Sequence, residues 1–371
     1  MKVLQLGKFY PIEGGVEKVM YDLMTGLSQC GMTCDMVCAS DIYGSKIMSV
    51  NEHARLVICK ALVKKAATMI SPEMIRCLRK VCHEYDIVHV HHPDPMACLA
   101  LFCSGYKGKV VVHWHSDICK QKALLRFYIP LQKWLLRRAD VIVGTTPVYL
   151  EESPFLRGFS RKFICLPIGI DTMVPVQKQV AEIRKTFEGK KIVFSLGRLV
   201  AYKGYSYLVD AACYLGDDYV ILIGGTGRLR VRLQEQIDSL NLNARVRLLD
   251  FIPDDLLPAY YEACDLFCLS SVQKTEAFGI VQIEAMSFGK PVVATTIPHS
   301  GVSWVNKHGV SGLNVRPKDA RAIAEAIMTI TNDETIYRTY SRNAKERYKR
   351  MFTKDAMVGK CRKIYENLLD N

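Results

Sequence analysis

Short apolar runs alternate with longer amphipathic stretches along the whole chain, and the pattern occurs twice. In the first half, residues 3–6, 33–39, 87–91, 110–114, 141–145 and 163–167 have the length and composition of buried strands. Residues 16–29 and 124–138 between them carry helical periodicity. In the second half, residues 191–196, 219–224, 246–248, 266–269, 292–294 and 312–314 repeat the strand pattern. Such alternation predicts parallel sheets with helical crossovers: an α/β chain of two Rossmann-like doubly wound domains facing a cleft. The turn Pro167-Ile168-Gly169-Ile170-Asp171 predicts the boundary, giving domains over 1–168 and 169–350. Residues 351–371 form a closing segment, helical over 354–369. Open doubly wound sheets bind ligands at the carboxyl ends of their strands, so the chemistry is expected just after each strand.

The most informative segment is Glu276-Ala277-Phe278-Gly279-Ile280-Val281-Gln282-Ile283-Glu284. Glu276 falls in a loop after a strand, and Glu284 inside an apolar, helix-forming run. Phe278, Gly279 and Ile280 lie about where that helix begins, where backbone N–H groups lack internal partners and attract anions. Two carboxylates beside such a helix start suit the hydroxyls and phosphate of an activated sugar. An unpaired glutamate at position 284 would be costly in an apolar helix, which speaks against two merely solvated charges. A second loop, Gly197-Arg198-Leu199-Val200-Ala201-Tyr202-Lys203-Gly204, follows a strand and offers two cations, a guanidinium fork and a mobile ammonium, to phosphate oxygens. Gly225 and Gly227 form a glycine-rich turn after another strand. That turn alone also fits a dinucleotide site, but Arg230 breaks the Gly-x-Gly-x-x-Gly pattern of an oxidoreductase.

In the first half, Gly14-Gly15 follows the first strand and opens a helix, as a simple turn or a ligand-approach loop. Two histidine clusters follow strands: His89, His91 and His92 with Asp94, and His113 and His115 with Asp117. Strand alternation puts His113 and His115 on one face and Trp114 on the other. His89 and His113 read as satisfied core residues, and His91, His92 and Asp94 as either core or acceptor-side groups. A zinc site is not expected, because Val90 and Trp114 interrupt the histidines and no cysteine pair accompanies them.

These strings resemble the retaining GT-B glycosyltransferases of family four over most of the chain. In that family the Glu-x7-Glu motif holds the donor. The resemblance implies Glu276 on the sugar hydroxyls and Glu284 on the ribose. Arg198 and Lys203 correspond to the cations that grip the nucleotide diphosphate, with Gly197, Gly225 and Gly227 beside the nucleotide. Phe251 and Ile252 lie in the base-holding loop, Gly14 and Gly15 near the donor phosphates and acceptor. His115 aligns with the histidine that contacts the transferring sugar. The resemblance also implies same-face attack, with a donor phosphate oxygen taking the acceptor proton, and a closing helix that packs back on the N-terminal domain. Catalysis is expected to rest on His115, Glu276, Arg198 and Lys203. No cofactor or metal is expected, since the chain has no Asp-x-Asp clamp. The segment from Ser300 to Gly309 resembles bacterial mannosyl- and rhamnosyl-transferases of surface polysaccharide synthesis. GDP-mannose is therefore the favoured donor, UDP-sugars remain open, and a glycan or lipid-linked molecule is the acceptor. A nucleotide-sugar epimerase of the same fold, or a non-catalytic nucleotide-binding protein at a membrane surface, is the alternative.

Composition narrows the setting. Fourteen cysteines are scattered through apolar runs, among them Cys30, Cys98, Cys264 and Cys268, without a Cys-x-x-Cys pair. They read as buried free thiols of a reducing, cytoplasmic protein. Lys8 interrupts the first apolar run too early for a secretory signal, and no run approaches a membrane span. The net charge of +13 is heavier in the first half. No nucleic-acid module accompanies it. Residues 120–138 mix Lys120, Lys122, Arg126, Lys133, Arg137 and Arg138 with Phe127, Tyr128 and Trp134, and Pro130 is expected to kink them. This helix either packs on the sheet or docks peripherally on an anionic membrane, with Lys60, Lys64, Lys65, Arg76, Arg79 and Lys80 extending the patch.

Overall fold

A computed structural model describes residues 1–370 apart from 13, 66–67 and 119–121, with the backbone alone at 122–124. The first half runs β1 (Lys2–Phe9), α1 (Gly15–Gln29), β2 (Thr33–Ser40), β3 (Lys46–Asn51), β4 (Ala54–Lys60), β5 (Val63–Lys65), β6 (Thr68–Ile70), α2 (Pro72–Val81), β7 (Ile87–His92), α3 (Pro95–Ser104), β8 (Lys109–Trp114), α4 (Lys122–Arg138), β9 (Val141–Gly144), α5 (Pro147–Glu152) and β10 (Phe163–Cys165). The second runs α6 (Gln177–Thr186), β11 (Lys191–Leu196), α7 (Tyr205–Ala211), β12 (Tyr219–Gly224), α8 (Arg230–Ser239), β13 (Val246–Asp250), α9 (Leu257–Ala263), β14 (Leu266–Leu269), α10 (Ile280–Ser287), β15 (Val292–Thr295), α11 (Val302–Val305), β16 (Gly312–Val315), α12 (Ala320–Thr331) and α13 (Glu334–Met351). Helix α14 (Lys354–Asp370) closes the chain.

Two compact units result. One holds Met1–Gly169 with Lys354–Asn371, the other Ile170–Thr353. The first break lies one residue beyond 168. The second lies after Thr353 rather than after 350, because Ile170 bridges Thr353 as a strand partner.

The second unit is a six-stranded parallel sheet in the order β13-β12-β11-β14-β15-β16. Chain direction across the sheet reverses between β11 and β14, which makes that gap the topological switch point. Its strands are apolar on both faces because helices cover both. Val193, Ile221, Ile223, Leu266 and Val293 belong to the core that Leu208, Leu233 and Ile327 complete.

The first unit has an eight-stranded sheet, β10-β9-β8-β7-β1-β2-β4-β3, parallel except for β3, which pairs antiparallel to β4 at the edge. Its switch point lies between β1 and β7. Three helices open on a capping residue followed by proline: Ser71-Pro72, Asp94-Pro95 and Thr146-Pro147. Each cap accepts a backbone N–H two or three positions on. Helices α1 and α14 pack together, and α2, α3 and α4 form a row. Pro130 lies inside α4, which is helical from Lys122 to Arg138. Buried thiols include Cys34, Cys98, Cys264, Cys268 and Cys361. Cys30 is instead exposed, because it caps the end of α1 outside the apolar face.

Candidate active site

In the second unit the loops after β11 and β14 meet over the switch point. Ser270, just beyond β14, donates through Oγ to the Lys203 carbonyl at 3.0 Å, and the Val272 N–H donates to the Tyr202 carbonyl at 2.8 Å. These ties hold Lys203 against Glu276. Its Nζ lies 2.5 Å from Glu276 Oε2, with side-chain exposures of 9% and 11%. Ser271 Oγ donates to the same carboxylate oxygen at 2.8 Å, and the Ser300 hydroxyl donates to the Glu276 carbonyl at 2.5 Å. A buried ion pair stands where both charges are matched and hydrogen-bonded; loss of one partner strands the other.

The glycine loops crowd this cation. A Cβ on Gly197 would lie 3.2 Å from Lys203 Nζ, and a Cβ on Gly225 would strike the Gly197 carbonyl oxygen at 2.2 Å. The loops after β11 and β12 therefore approach as only glycine permits, joined by Gly197 N–H to Gly224 O at 3.0 Å and Leu199 N–H to Thr226 O at 2.8 Å. Gly227 packs against the Leu199 carbonyl in the same seam. Arg198, on the same loop as Lys203, points outward and is touched by the Tyr202 hydroxyl at 3.2 Å.

Gly279 adopts φ 75° as the residue before α10, a left-handed turn that brings Ile280 to the helix start. Phe278 turns its ring into the core, edge-on to Phe352, so only its backbone is available at that site. Glu284 accepts the Tyr261 hydroxyl at 2.5 Å. Burial raises its carboxyl above the ordinary range, while the Tyr261 hydroxyl and the Lys203 cation pull it back. After β13, Phe251 is 70% exposed, whereas Ile252 is buried against Gly224. The second unit thus gathers Lys203, Glu276, Glu284 and Gly197 around one point, with Arg198 and Phe251 open to a ligand.

The first unit presents a different chemistry at its switch point. Parallel pairing sets Gln5 beside His89 and His91 beside His113. Alternation then gathers His89, His91, His113 and His115 on one face, rather than scattering them. The expectation that Val90 and Trp114 keep the histidines apart is corrected: those residues occupy the opposite face. His113 stacks on His115 at 3.8 Å and lies 5.3 Å from His89, with planes within 16°. The ring nitrogens of His89, His91 and His113 come within 4.8 Å of one another. Their planes lie 14° to 31° apart, and both nitrogens of His91 are hydrogen-bonded, whereas His89 Nε2 and both nitrogens of His113 are buried without a partner among the described residues, so the expectation that His89 and His113 are satisfied core residues is corrected. Burial holds all four imidazoles below their ordinary range, His113 to about 3.

His115, just past β8, is buried at the carboxyl edge of this sheet. Gly14 precedes α1 and Gly15 opens it, with the Glu17 carboxylate folded over Gly14. The other polar candidates have structural partners. Asp94 caps α3 through the Met96 and Ala97 N–H groups and also accepts the Lys8 N–H. His92 lies flat under Trp114 at 3.7 Å, on the opposite face. Asp117 accepts Trp114 Nε1–H and the Ser153 hydroxyl. On α4, Tyr128 turns inward, Trp134 meets Phe102, and only Phe127 of the three aromatics stands out, 85% exposed. Lys120 and the Lys122 side chain lie outside the described residues.

Sequence reasoning missed Gln5, Tyr365, Ser271 and Tyr261. A glutamine in the middle of Val3-Leu4-Gln5-Leu6 was a visible signal, because a polar residue in a buried strand needs partners.

Residues 13–173 match the family described as Glycosyltransferase Family 4, and residues 176–347 match Glycosyl transferases group 1. The O-antigen chain mannosyltransferase C of Escherichia coli is 30% identical over 375 residues, covering 100% of both chains. This chain belongs to the family 4 glycosyltransferases. The glycosyltransferase is also 30% identical over 360 residues to the D-rhamnosyltransferase WbpZ of Pseudomonas aeruginosa, covering 95% of this chain and 92% of that one. In fold it matches sucrose-phosphate synthase from Thermosynechococcus elongatus with a TM-score of 0.80 at 22% identity, over 100% of both chains. Anabaena HepE in complex with UDP gives 0.77 at 20% identity, over 99% of this chain and 100% of that one. The glycosyltransferase is thus a GT-B-class enzyme built on two Rossmann-like sheets. No helix among the described residues is long and apolar enough to cross a membrane.

Proposed function

We propose that this enzyme transfers a manno-configured hexose, with retention, from a nucleoside diphosphate to a growing surface polysaccharide or its lipid-linked precursor. GDP-mannose is the first donor to test and UDP-sugars the second. The names of the relatives, mannosyl- and D-rhamnosyl-transferase, support the sugar, since D-rhamnose is 6-deoxymannose. The observation that carries the reading is the Lys203–Glu276 pair over the β11/β14 switch point.

Donor binding gives Lys203 a phosphate partner in place of part of its contact with Glu276, and frees that carboxylate for sugar hydroxyls. Arg198 adds its fork to the diphosphate. The two cations stabilise the charge that builds as the bond between sugar C1 and the phosphate oxygen breaks. The acceptor oxygen bonds to C1 from the same face, and its proton passes to the leaving phosphate. The second oxygen of Glu284, beyond the one held by Tyr261, takes the ribose; N–H groups at Gly279 and Ile280 take phosphate; Phe251 and Ile252 flank the base. His115 contacts the transferring sugar. The cations replace a divalent ion, so turnover needs no metal.

The enzyme works on the cytoplasmic side of an anionic membrane. Arg126, Pro130, Lys133 and Arg137 lie exposed along α4 at helical spacing, beside Phe127. A panel of nucleotide sugars with mannose-terminated acceptors tests the function. Acceptor-dependent release of GDP and an α-linked product support it. Donor turnover without acceptor, yielding an epimerised sugar, would replace it with the epimerase reading.

A further inference from the structure

We propose that the closing helix fixes the tautomer of His115 through a buried relay, Tyr365–Gln5–His91–His115. His115 then meets its substrate as a neutral imidazole protonated on Nε2, with the Nδ1 lone pair free to accept a hydroxyl. The proposal rests on the reading of His115 as a sugar-contacting residue. Gln5, His91 and Tyr365 act through His115 and are positioning residues.

Donors and acceptors follow one another along a single path. Gln5 Nε2 donates to the Tyr365 hydroxyl at 3.1 Å and lies 3.6 Å from Cys34 Sγ. The other end of that amide, Oε1, has no proton, so it accepts from His91 Nε2 at 2.8 Å. A neutral His91 carrying its proton on Nε2 has a bare Nδ1. That atom lies 2.9 Å from His115 Nε2, which must therefore be the donor. His115 keeps its proton on Nε2 and leaves Nδ1 unprotonated. At the far end, the Tyr365 hydroxyl lies 2.5 Å from His89 Nδ1 and also meets the Cys361 thiol; with its proton given to the bare nitrogen of a neutral His89, the hydroxyl is left to accept the Gln5 amide N–H. Every group in the path is buried, so water does not scramble the directions.

The relay has one alternative setting. A reversed Gln5 amide would present N–H to His91, turn each bond around and put the His115 proton on Nδ1. Tyr365 acts on the choice because its hydroxyl receives the amide N–H while spending its own proton on His89. The residues that control the tautomer are 360 positions apart in sequence, and α14 supplies one of them.

The full-length protein labelled with 15N-histidine gives the test by two-bond 15N–1H correlation, with His115 assigned from His115→Gln. Between pH 6.5 and 8 the wild type is expected to show His115 protonated on Nε2 alone. Tyr365→Phe, which conserves ring volume, and Gln5→Leu are expected to give a tautomer mixture. For Tyr365→Phe, kcat falls about tenfold with donor KM unchanged, the size of one lost hydrogen bond. A wild-type His115 protonated on Nδ1 overturns the proposal, as does an unchanged single tautomer in both Tyr365→Phe and Gln5→Leu. Full transfer activity in His115→Ala would instead remove the role of His115 under the proposed function, while the spectra still report the relay.

Discussion

The two sheets carry their chemistry at the same topological place with opposite electrostatics. At the β11/β14 switch the second unit buries a charged pair, Lys203 and Glu276. At its β1/β7 switch the first unit buries neutral imidazoles linked to Gln5 and Tyr365. A nucleoside diphosphate needs fixed cations, since charge develops on it as it leaves. Neutral imidazoles instead offer directional donors and acceptors. The fold provides two equivalent crevices, and the loop residues give each its own chemistry.

The largest expected effect comes from breaking the charged half. Lys203→Ala removes the leaving-group cation and strands Glu276, so kcat/KM should drop on the order of 10³-fold. Steady-state kinetics, with circular dichroism to confirm folding, check it. A drop of tenfold or less would mean that the ammonium serves packing alone.

Acid should break the neutral half first. The folded pKa values of His89, His91, His113 and His115 lie below the unfolded value of about 6.5, because burial opposes the charge. Below that pH the unfolded chain binds more protons than the folded one. Stability is therefore fully present above about 6.5 and is lost as pH falls, by up to about 1.4 kcal/mol per pH unit for each imidazole. Asp94, raised by burial, offsets part of this only nearer its own range. The second unit has its histidines, His299 and His308, on the surface. Hydrogen exchange at pH 5.5 should show residues 1–169 losing protection before residues 170–353. The reverse order would contradict the assignment of neutral buried imidazoles.

Much of this contrast was legible in the sequence, and the remainder failed for physical reasons. Alternating runs exposed the parallel strands other than β4, because strands covered on both faces are apolar throughout; β4 pairs parallel to β2 but was missed, since exposed positions interrupt its apolar run. The edge strand β3 escaped notice since Lys46-Ile-Met-Ser-Val-Asn has no inward face to create a period. The loop carrying Arg198 and Lys203 and the loop carrying Glu276 were readable singly. That Lys203 pairs with Glu276 depends on β11 and β14 being neighbours, which local pattern does not encode. The histidines show the same limit. Alternation along β7 and along β8 was visible, but the register that sets His91 beside His113 was not. Tyr365 lies beyond any local argument.

Smaller effects sharpen the picture. Arg198 is exposed, and Arg198→Ala should lower kcat/KM roughly tenfold, as expected for one charge-assisted contact to the diphosphate. Reversing Arg126, Lys133 and Arg137 to glutamate should weaken flotation with anionic vesicles, at about 1 kcal/mol per charge. Transfer to a soluble acceptor should stay unchanged. Equal recovery of the wild type on neutral and anionic vesicles would remove the membrane role. The smallest expected effect is none: saturating EDTA should leave turnover intact, and loss restored by manganese would show that a metal holds the diphosphate.

Calorimetric titration of the full chain with GDP and UDP, in wild type, Lys203→Ala and His115→Ala, tests the division of labour most directly. Nucleoside diphosphate affinity is expected to fall at least tenfold in Lys203→Ala and to stay unchanged in His115→Ala, which loses sugar transfer instead. Equal affinity in Lys203→Ala, or a loss of nucleotide binding in His115→Ala matching that of the lysine variant, would contradict it.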